Sequence, residues 1–274
     1  MMQALSFDEL KNMQKICKQC DECGESLVRI KMLDIEPFCQ SCQKKKVEAQ
    51  IMKRVKAAEG YEQRQKTYNW LRKRSIIMDK QLLDASFNTF HTETDKEALL
   101  KQQARTFAQE YLEGRTYNTI LTGTPGAGKS HLAMAMLKEV NESSQVGHRC
   151  LYIAVQEMMR RIYNSFNNPT ETFTEQYAVD MCREADVLVL DDLGAETGAI
   201  TTRSQATDYT TKTLHGIMDG RQDKTTIITT NLNSDQLKKL YDDKLRSRFY
   251  KGMKARGSVL KFNDVKDKRV DLEF

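Results

Sequence analysis

The sequence predicts an α/β protein, in which a parallel sheet covered by helices follows a small cysteine-bearing module and a helical connector. Three observations carry that expectation. From about Thr94 onward, short apolar runs alternate with longer helix-forming stretches, the pattern of a parallel sheet buried on both faces. A glycine-rich turn, Gly123-Thr124-Pro125-Gly126-Ala127-Gly128-Lys129-Ser130, joins the first such run to a helix. Ahead of it, five of the seven cysteines lie between Cys17 and Cys42.

The elements follow in order. Residues 1–45 hold the cysteine cluster, 46–93 form the connector and 94–274 the sheet domain. The connector is poor in Pro and Gly, which suits a helix better than a flexible linker. Lys96 to Glu113 reads as an amphipathic helix stopped by Gly114,. Tyr117–Leu121 is the first strand, and Lys129–Asn141 the helix after the turn. Cys150–Val155, Val187–Leu190, Thr225–Thr230 and Ser258–Phe262 read as further strands. Helices fill the interval to about Glu184 and the stretches from about Ser204 to Asp219 and from Asp235 to Tyr250.

The composition, 39% hydrophobic and 30% charged over 274 residues, suits a cytosolic globular protein,. No run approaches the ~18 apolar residues that span a bilayer. The stretch Met1–Asp8 lacks a basic segment followed by an apolar one, so it does not read as a secretion signal,. The expectation is a cytoplasmic protein with no membrane partner. The net charge of +5 is unevenly spread: Gln43 to Ser75 carries eleven Lys or Arg against three Glu. Such a stretch fits a solvated helix, and equally a surface for phosphate backbones or an acidic protein.

The glycine-rich turn fits G-x-x-x-x-G-K-[ST] between a strand and a helix, the context in which that pattern binds nucleotide phosphates,. Glycines let backbone N–H groups turn inward, and the next helix points its positive end at the anion. Lys129 is expected to bridge the β- and γ-phosphates of ATP and Ser130 to ligate Mg²⁺; His131, the next residue, joins the cofactor-binding set. Val187-Leu-Val-Leu190 ends in Asp191 and Asp192, which places two carboxylates where open α/β sheets bind ligands,. Asp191 is the candidate Mg²⁺ partner, and Asp192 the candidate base for the attacking water. Asn231, after the strand ending in Thr229-Thr230, is a candidate partner of that water or the γ-phosphate. Arg246 and Arg248 offer a guanidinium to the nucleotide of a neighbouring subunit,.

Taken together, this turn, Leu190-Asp-Asp-Leu-Gly-Ala-Glu196, Ile227-Ile-Thr-Thr-Asn-Leu232 and Leu245-Arg-Ser-Arg-Phe249 resemble the AAA+ ATPases of the DnaC/DnaI helicase-loader group, with the transposition helper IstB related. The resemblance spans roughly Ser86 to Phe262. It implies an AAA+ P-loop NTPase with a five-stranded parallel sheet in the order 5-1-4-3-2. It implies Asn231 as sensor 1 and Arg248 as an arginine finger in trans, Arg246 being the less favoured choice. Phe87 and Phe90 are candidates to flank the adenine, or are plain core. Two departures stand out. Asp192 occupies a position where many AAA+ proteins have Glu, which implies slow intrinsic hydrolysis. Only 26 residues follow Arg248, too few for a full helical lid, so Arg256 could be no more than a weak substitute for its arginine.

Cys20-x2-Cys23 and Cys39-x2-Cys42, separated by 15 residues, form two chelating pairs. Four thiolates make a closed tetrahedral site, so the expected ion is structural Zn²⁺. Cys17 competes with this assignment through its own C-x2-C spacing with Cys20. Gly24 allows the left-handed backbone of a metal knuckle. Leu27–Leu33 is expected to form a hairpin between the knuckles, and Cys150 and Cys182 to lie in the core. The DnaI branch resembles this layout, with a zinc module that contacts the helicase ahead of the ATPase. The resemblance therefore implies a loader that self-associates through its ATP sites and delivers a DnaB-type helicase to single-stranded DNA. An IstB-like ATPase acting on target DNA is the alternative.

Overall fold

A computed structural model describes residues 13–30, 35–166, 168, 170–197 and 208–268. The chain divides into two units, Met1–Glu62 and Gln63–Phe274. That boundary differs from the expected limits at 45 and 93. The reason is packing: Ile76, Phe87 and Phe90 are buried in the second unit's core, and Trp70 and Leu71 pack against it.

In the first unit, β1 (Met13–Gln19) pairs antiparallel with β2 (Ser26–Ile30), so the first cysteine pair sits in the turn between them. Val28 also exchanges both backbone hydrogen bonds with Phe38, at 2.8 and 3.0 Å. The segment expected as a hairpin of its own is thus shared, Ser26–Ile30 serving as the second strand of an earlier hairpin. Its far end, through Leu33, lies outside the described residues. Helix α1 (Gln40–Arg74) starts directly after Cys39.

The second unit begins its regular sheet domain with α2 (Asp95–Leu112), whose N-terminus is closed by a capping box between Thr94 and Glu97,. Then come β3 (Thr119–Gly123), α3 (Lys129–Ser143), β4 (Cys150–Ala154), α4 (Val155–Ser165), α5 (Glu175–Glu184) and β5 (Val187–Asp191). After them follow α6 (Asp208–Asp219), β6 (Thr225–Thr230), α7 (Ser234–Leu240), α8 (Asp243–Phe249), α9 (Met253–Arg256) and β7 (Val259–Phe262). The start expected for α6 at Ser204 lies outside the described residues.

All neighbours in this sheet are parallel, and the order is β4-β5-β6-β3-β7. Numbered along the chain as five strands and counted from the β7 edge, that is 5-1-4-3-2. Side chains alternate between faces with the period of two that strands impose. Leu188, Leu190 and Ile228 enter one core cluster, with α4, α5 and α6. Val187, Val189 and Ile227 enter the other, with α2 and α3. Cys150 and Cys182 are buried, as expected for core thiols.

Two local expectations differ. The first strand starts at Thr119 because Tyr117 and Asn118 leave the ladder: the Asn118 N–H donates to Lys251 O at 3.0 Å, and its amide nitrogen to Arg248 O at 2.8 Å. The helix expected over Asp235–Tyr250 is two helices. Tyr241 is extended, and the Asp242 carboxylate accepts Leu245 N–H at 2.9 Å, capping a new helix,.

Arg221 ties the sheet to α5. It is 1% exposed. Its Nη1 donates to Cys182 O and Ala185 O, both at 2.6 Å, its Nη2 to Thr225 O at 2.5 Å and its Nε to Thr226 Oγ1 at 3.2 Å. The guanidinium thus satisfies carbonyls that the end of a helix leaves open. Burial pushes its pKa down to about 10, so it stays charged at neutral pH. Replacing Arg221 with Leu should lower the unfolding free energy by about 3 kcal/mol or more, because buried carbonyls lose their donors. Urea denaturation monitored by circular dichroism checks this; a loss under about 1 kcal/mol would show that water replaces the side chain.

Candidate nucleotide site and metal centre

The topology places the C-terminal ends of β3, β6 and β5 side by side. A cavity of about 590 Å³ opens there. Pro125, Gly126, Gly128, Lys129, Ser130 and His131 line it from the turn after β3, Asp191 and Asp192 from β5, and Asn231 from β6. The residues expected to work together therefore share one space. Gly123, Thr124 and Ala127 shape the loop without lining the cavity: the Thr124 hydroxyl reaches Phe262 O and Val265 O, both at 3.1 Å, and Ala127 is fully buried.

The turn requires its glycines. Gly128, at φ +90°, caps α3, and a Cβ there would sit 2.8 Å from the Phe90 ring. A Cβ on Gly126 would overlap the Asp267 carboxylate. Lys129 is 6% exposed, and its ammonium donates to Gly123 O at 3.0 Å and Thr124 O at 2.6 Å. These contacts hold the charge inside the turn. His131 Nε2 lies 3.1 Å from Ser86 O, and burial lowers its pKa, so the neutral ring with Nε2 protonated fits the site.

On the acid side, Thr229 Oγ1 donates to Asp191 Oδ1 at 2.7 Å and accepts the Asp192 N–H at 2.8 Å. Asn231 Nδ2 donates to Asp192 Oδ1 at 2.9 Å. Asp192 adopts φ +55°, a left-handed conformation that costs a non-glycine residue about 1 kcal/mol,. Glu196 accepts Gly194 N–H at 2.8 Å and the Tyr241 hydroxyl, and burial raises its pKa. It braces the turn and does not line the cavity. A hydroxyl and a carboxylate, Ser130 and Asp191, meet at the cavity, and such oxygen donors suit Mg²⁺,.

Phe90 lines the cavity, whereas Phe87 is 3% exposed and lies under the Arg105 guanidinium, away from it. Several lining residues carry no linear signature, among them Met78, Leu82, Thr89 and Lys268. Lys268 is brought in by the segment after β7: its N–H donates to Gly126 O at 3.1 Å and its ammonium lies 4.5 Å over the Phe90 ring. It also pairs with Glu97 at 2.8 Å. Burial opposes the Glu97 charge, but Lys268 and the N–H groups of Glu93 and Thr94 outweigh it and hold the carboxyl at about 2.

The candidate finger residues lie elsewhere. Arg248 lines a separate cavity of about 520 Å³ with Arg221, Lys244, Ser247 and Lys251. Its Nε is ion-paired with Asp219, and its Nη1 lies 2.8 Å from His215 Nδ1. Arg246 pairs with Asp243 and lines neither cavity. Arg256 is held by Glu110 at 2.6 and 2.7 Å and lies over Phe107, so it does not substitute for a lid arginine.

In the first unit, the sulfurs of Cys20, Cys23, Cys39 and Cys42 all lie within 4.8 Å of one another. Cys20 and Cys42 are 3.8 Å apart, Cys23 and Cys39 3.3 Å. A tetrahedral Zn–thiolate site with bonds of about 2.3 Å has edges of about 3.8 Å, so the donor set fits that ion. Gly24 N–H donates to Cys20 O at 2.8 Å with Gly24 at φ +75°, and Gln43 N–H to Cys39 O at 2.9 Å, closing the two knuckles. Cys17 lies on β1, exposed and outside the cluster.

Among relatives, the replicative helicase loader DnaC of Escherichia coli K12 is 28% identical over 171 residues, which cover 62% of this chain and 64% of DnaC. The DnaC of Buchnera aphidicola (Schizaphis graminum) is 25% identical over 172 residues, 62% of this chain and 65% of that protein. The chain thus spans just under two thirds of the length of these loaders. The crystal structure of DnaI superimposes with a TM-score of 0.51 at 21% identity, over 68% of this chain and 95% of that one, a likeness of fold. Among the described residues no helix is long and apolar enough to cross a membrane. The model of the IstB-like ATP-binding proteins matches residues 40–249, and this chain belongs to that family.

Proposed function

We propose that this chain is an ATP-hydrolysing loader of a DnaB-type replicative helicase, which it delivers to single-stranded DNA in the cytoplasm at the start of replication. The observation that carries the reading is the convergence of Lys129, Ser130, Asp191, Asp192 and Asn231 on one cavity, in a chain similar to loaders. Residues 20–42 add a four-thiolate centre ahead of the ATPase, which favours a loader over an IstB-like helper acting on target DNA.

In this reading the turn's N–H groups and the α3 N-terminus bind the triphosphate. The Lys129 ammonium passes from the Gly123 and Thr124 carbonyls to the β- and γ-phosphate oxygens. Ser130 and Asp191 would hold Mg²⁺, which would supply neutralisation of the charge on the phosphates,. Asp192, oriented by Asn231, accepts a proton from the attacking water. Its carboxylate stops one methylene short of a glutamate's, so unaided turnover is slow. Arg248 serves the nucleotide of an adjacent subunit. Zn²⁺ held by Cys20, Cys23, Cys39 and Cys42 stabilises the N-terminal module that grips the helicase.

Purified protein should hydrolyse ATP, and Lys129→Ala should lower the rate by about 10²-fold or more. Capture of the cognate helicase, with and without ATP, tests the partner. No capture in either state, or capture of a transposase instead, sinks the loader reading. Elemental analysis should find about one zinc per chain, and Cys39→Ser with Cys42→Ser should remove it and weaken helicase capture at least about tenfold. Full capture by a zinc-free variant would separate the metal from that contact.

A further inference from the structure

We infer that Thr229 is the positioning residue of the hydrolytic site, one hydroxyl fixing both Asp191 and Asp192. The inference rests on the reading of this cavity as the site of ATP hydrolysis and adds a residue to which no role has been given.

Thr229 is the fifth residue of β6 and is 1% exposed. A threonine hydroxyl has one proton to donate and two lone pairs with which to accept. Both partners here are of fixed sense. An ionised carboxylate only accepts, and a backbone N–H only donates. The hydroxyl proton therefore goes to Asp191 Oδ1, at 2.7 Å, and a lone pair takes the Asp192 N–H, at 2.8 Å.

Each bond constrains a different part of the chemistry. The first sets the rotation of the Asp191 carboxylate, which lines the same cavity as Ser130. The second holds the backbone of Asp192 in its left-handed conformation, φ +55°. That conformation turns the Asp192 side chain towards Asn231, to which it is bonded at 2.9 Å. The surrounding clamp is backbone: Leu193 N–H donates to Thr229 O at 2.9 Å, and Thr230 Oγ1 to Leu193 O at 2.7 Å. Thr230 holds the turn, whereas the Thr229 hydroxyl bonds both acids.

A serine keeps the hydroxyl, and valine keeps the shape without it. Thr229→Val should lower kcat for ATP about tenfold while KM stays within about twofold, because ground-state contacts to the phosphates are untouched. The Mg²⁺ concentration giving half the maximal rate should rise several-fold, since Asp191 loses its orienting bond. Thr229→Ser should return kcat to within about threefold of the starting protein. Thr230→Val removes an equally buried hydroxyl that bonds backbone alone, the Leu193 carbonyl and the Leu232 N–H, so it should lower the melting temperature without moving the Mg²⁺ dependence. Should Thr229→Val not fold, Thr229→Ala carries the same expectation with less bulk beside Asp191.

Unchanged kcat and Mg²⁺ dependence in Thr229→Val, or equal impairment in Thr229→Ser, overturns the positioning role. A different result marks failure of the underlying reading: unsubstituted protein no faster than Lys129→Ala, even with single-stranded DNA and helicase present. In that case the Mg²⁺ dependence of binding a fluorescent ATP analogue decides on Thr229. Thr229→Val should lose the Mg²⁺-dependent gain in affinity, and its retention overturns the inference.

Discussion

The site depends on one strand standing between two others. The turn that holds Lys129 follows β3, and the acids end β5, yet these strands are not neighbours; β6 lies between them. Strands are about 4.8 Å apart, so the turn and the acids are offset by about 10 Å, room for phosphate oxygens and a hydrated cation. β6 fills that interval with Thr229, Thr230 and Asn231, all polar and all at the end of a strand whose Ile227 and Ile228 are fully buried. Were β5 paired directly with β3, the carboxylates would crowd the turn. With β6 between them, the Thr229 hydroxyl and the Asn231 amide set the angles of the acids while its apolar residues anchor the sheet.

A second tie crosses the far side of the turn. After β7 the chain runs back over it: Thr124 binds two carbonyls of this segment, Asp267 lies against Gly126, and Lys268 reaches Glu97 at the start of α2. The parallel pairing of β7 with β3 makes this possible, because it ends β7 at Phe262 beside Gly123. Loop, helix cap and C-terminal segment are therefore one hydrogen-bonded assembly, and a disturbance at Glu97 will be felt at the phosphate-binding turn.

Much of this was legible in the sequence, for physical reasons that differ by element. β4, β5 and β6 are buried on both faces, so their apolar runs stand out with clear ends, and Thr225–Thr230 was expected to the residue. The turn was legible because backbone geometry dictates its glycines. Other features were hidden. Asp242 reads as one more acid in a helical stretch until its side chain is seen capping Leu245. Lys268 is over 130 residues from the turn it contacts, and only strand pairing brings it there. By spacing alone Cys20 could pair with Cys17 or Cys23; the β1–β2 register leaves Cys17 on the strand and puts Cys20 and Cys23 together in the turn. Thr229 stood inside a noted motif, but a hydroxyl's two partners have no linear signature.

The position of Arg248 bears on how the site would be completed. Among the described residues, the cations lining the nucleotide cavity are Lys129 and Lys268, with two histidines beside them. None of the described arginines lines it, while Arg248 faces a different cavity, its Nε and one terminal nitrogen held by Asp219 and His215. Planar guanidinium donors are the usual partners of a transferring phosphoryl group. Under the proposed function, an arginine held at another surface and kept oriented there would serve the nucleotide site of a second chain. His215 strengthens the arrangement: accepting from Arg248 through Nδ1, it must carry its proton on Nε2, where Asp242 accepts it at 2.7 Å. The same Asp242 caps α8, the helix that carries Arg248. One carboxylate therefore starts the helix and orients the ring that steadies its arginine, and the break at Tyr241 that sequence periodicity overlooked is what makes both possible.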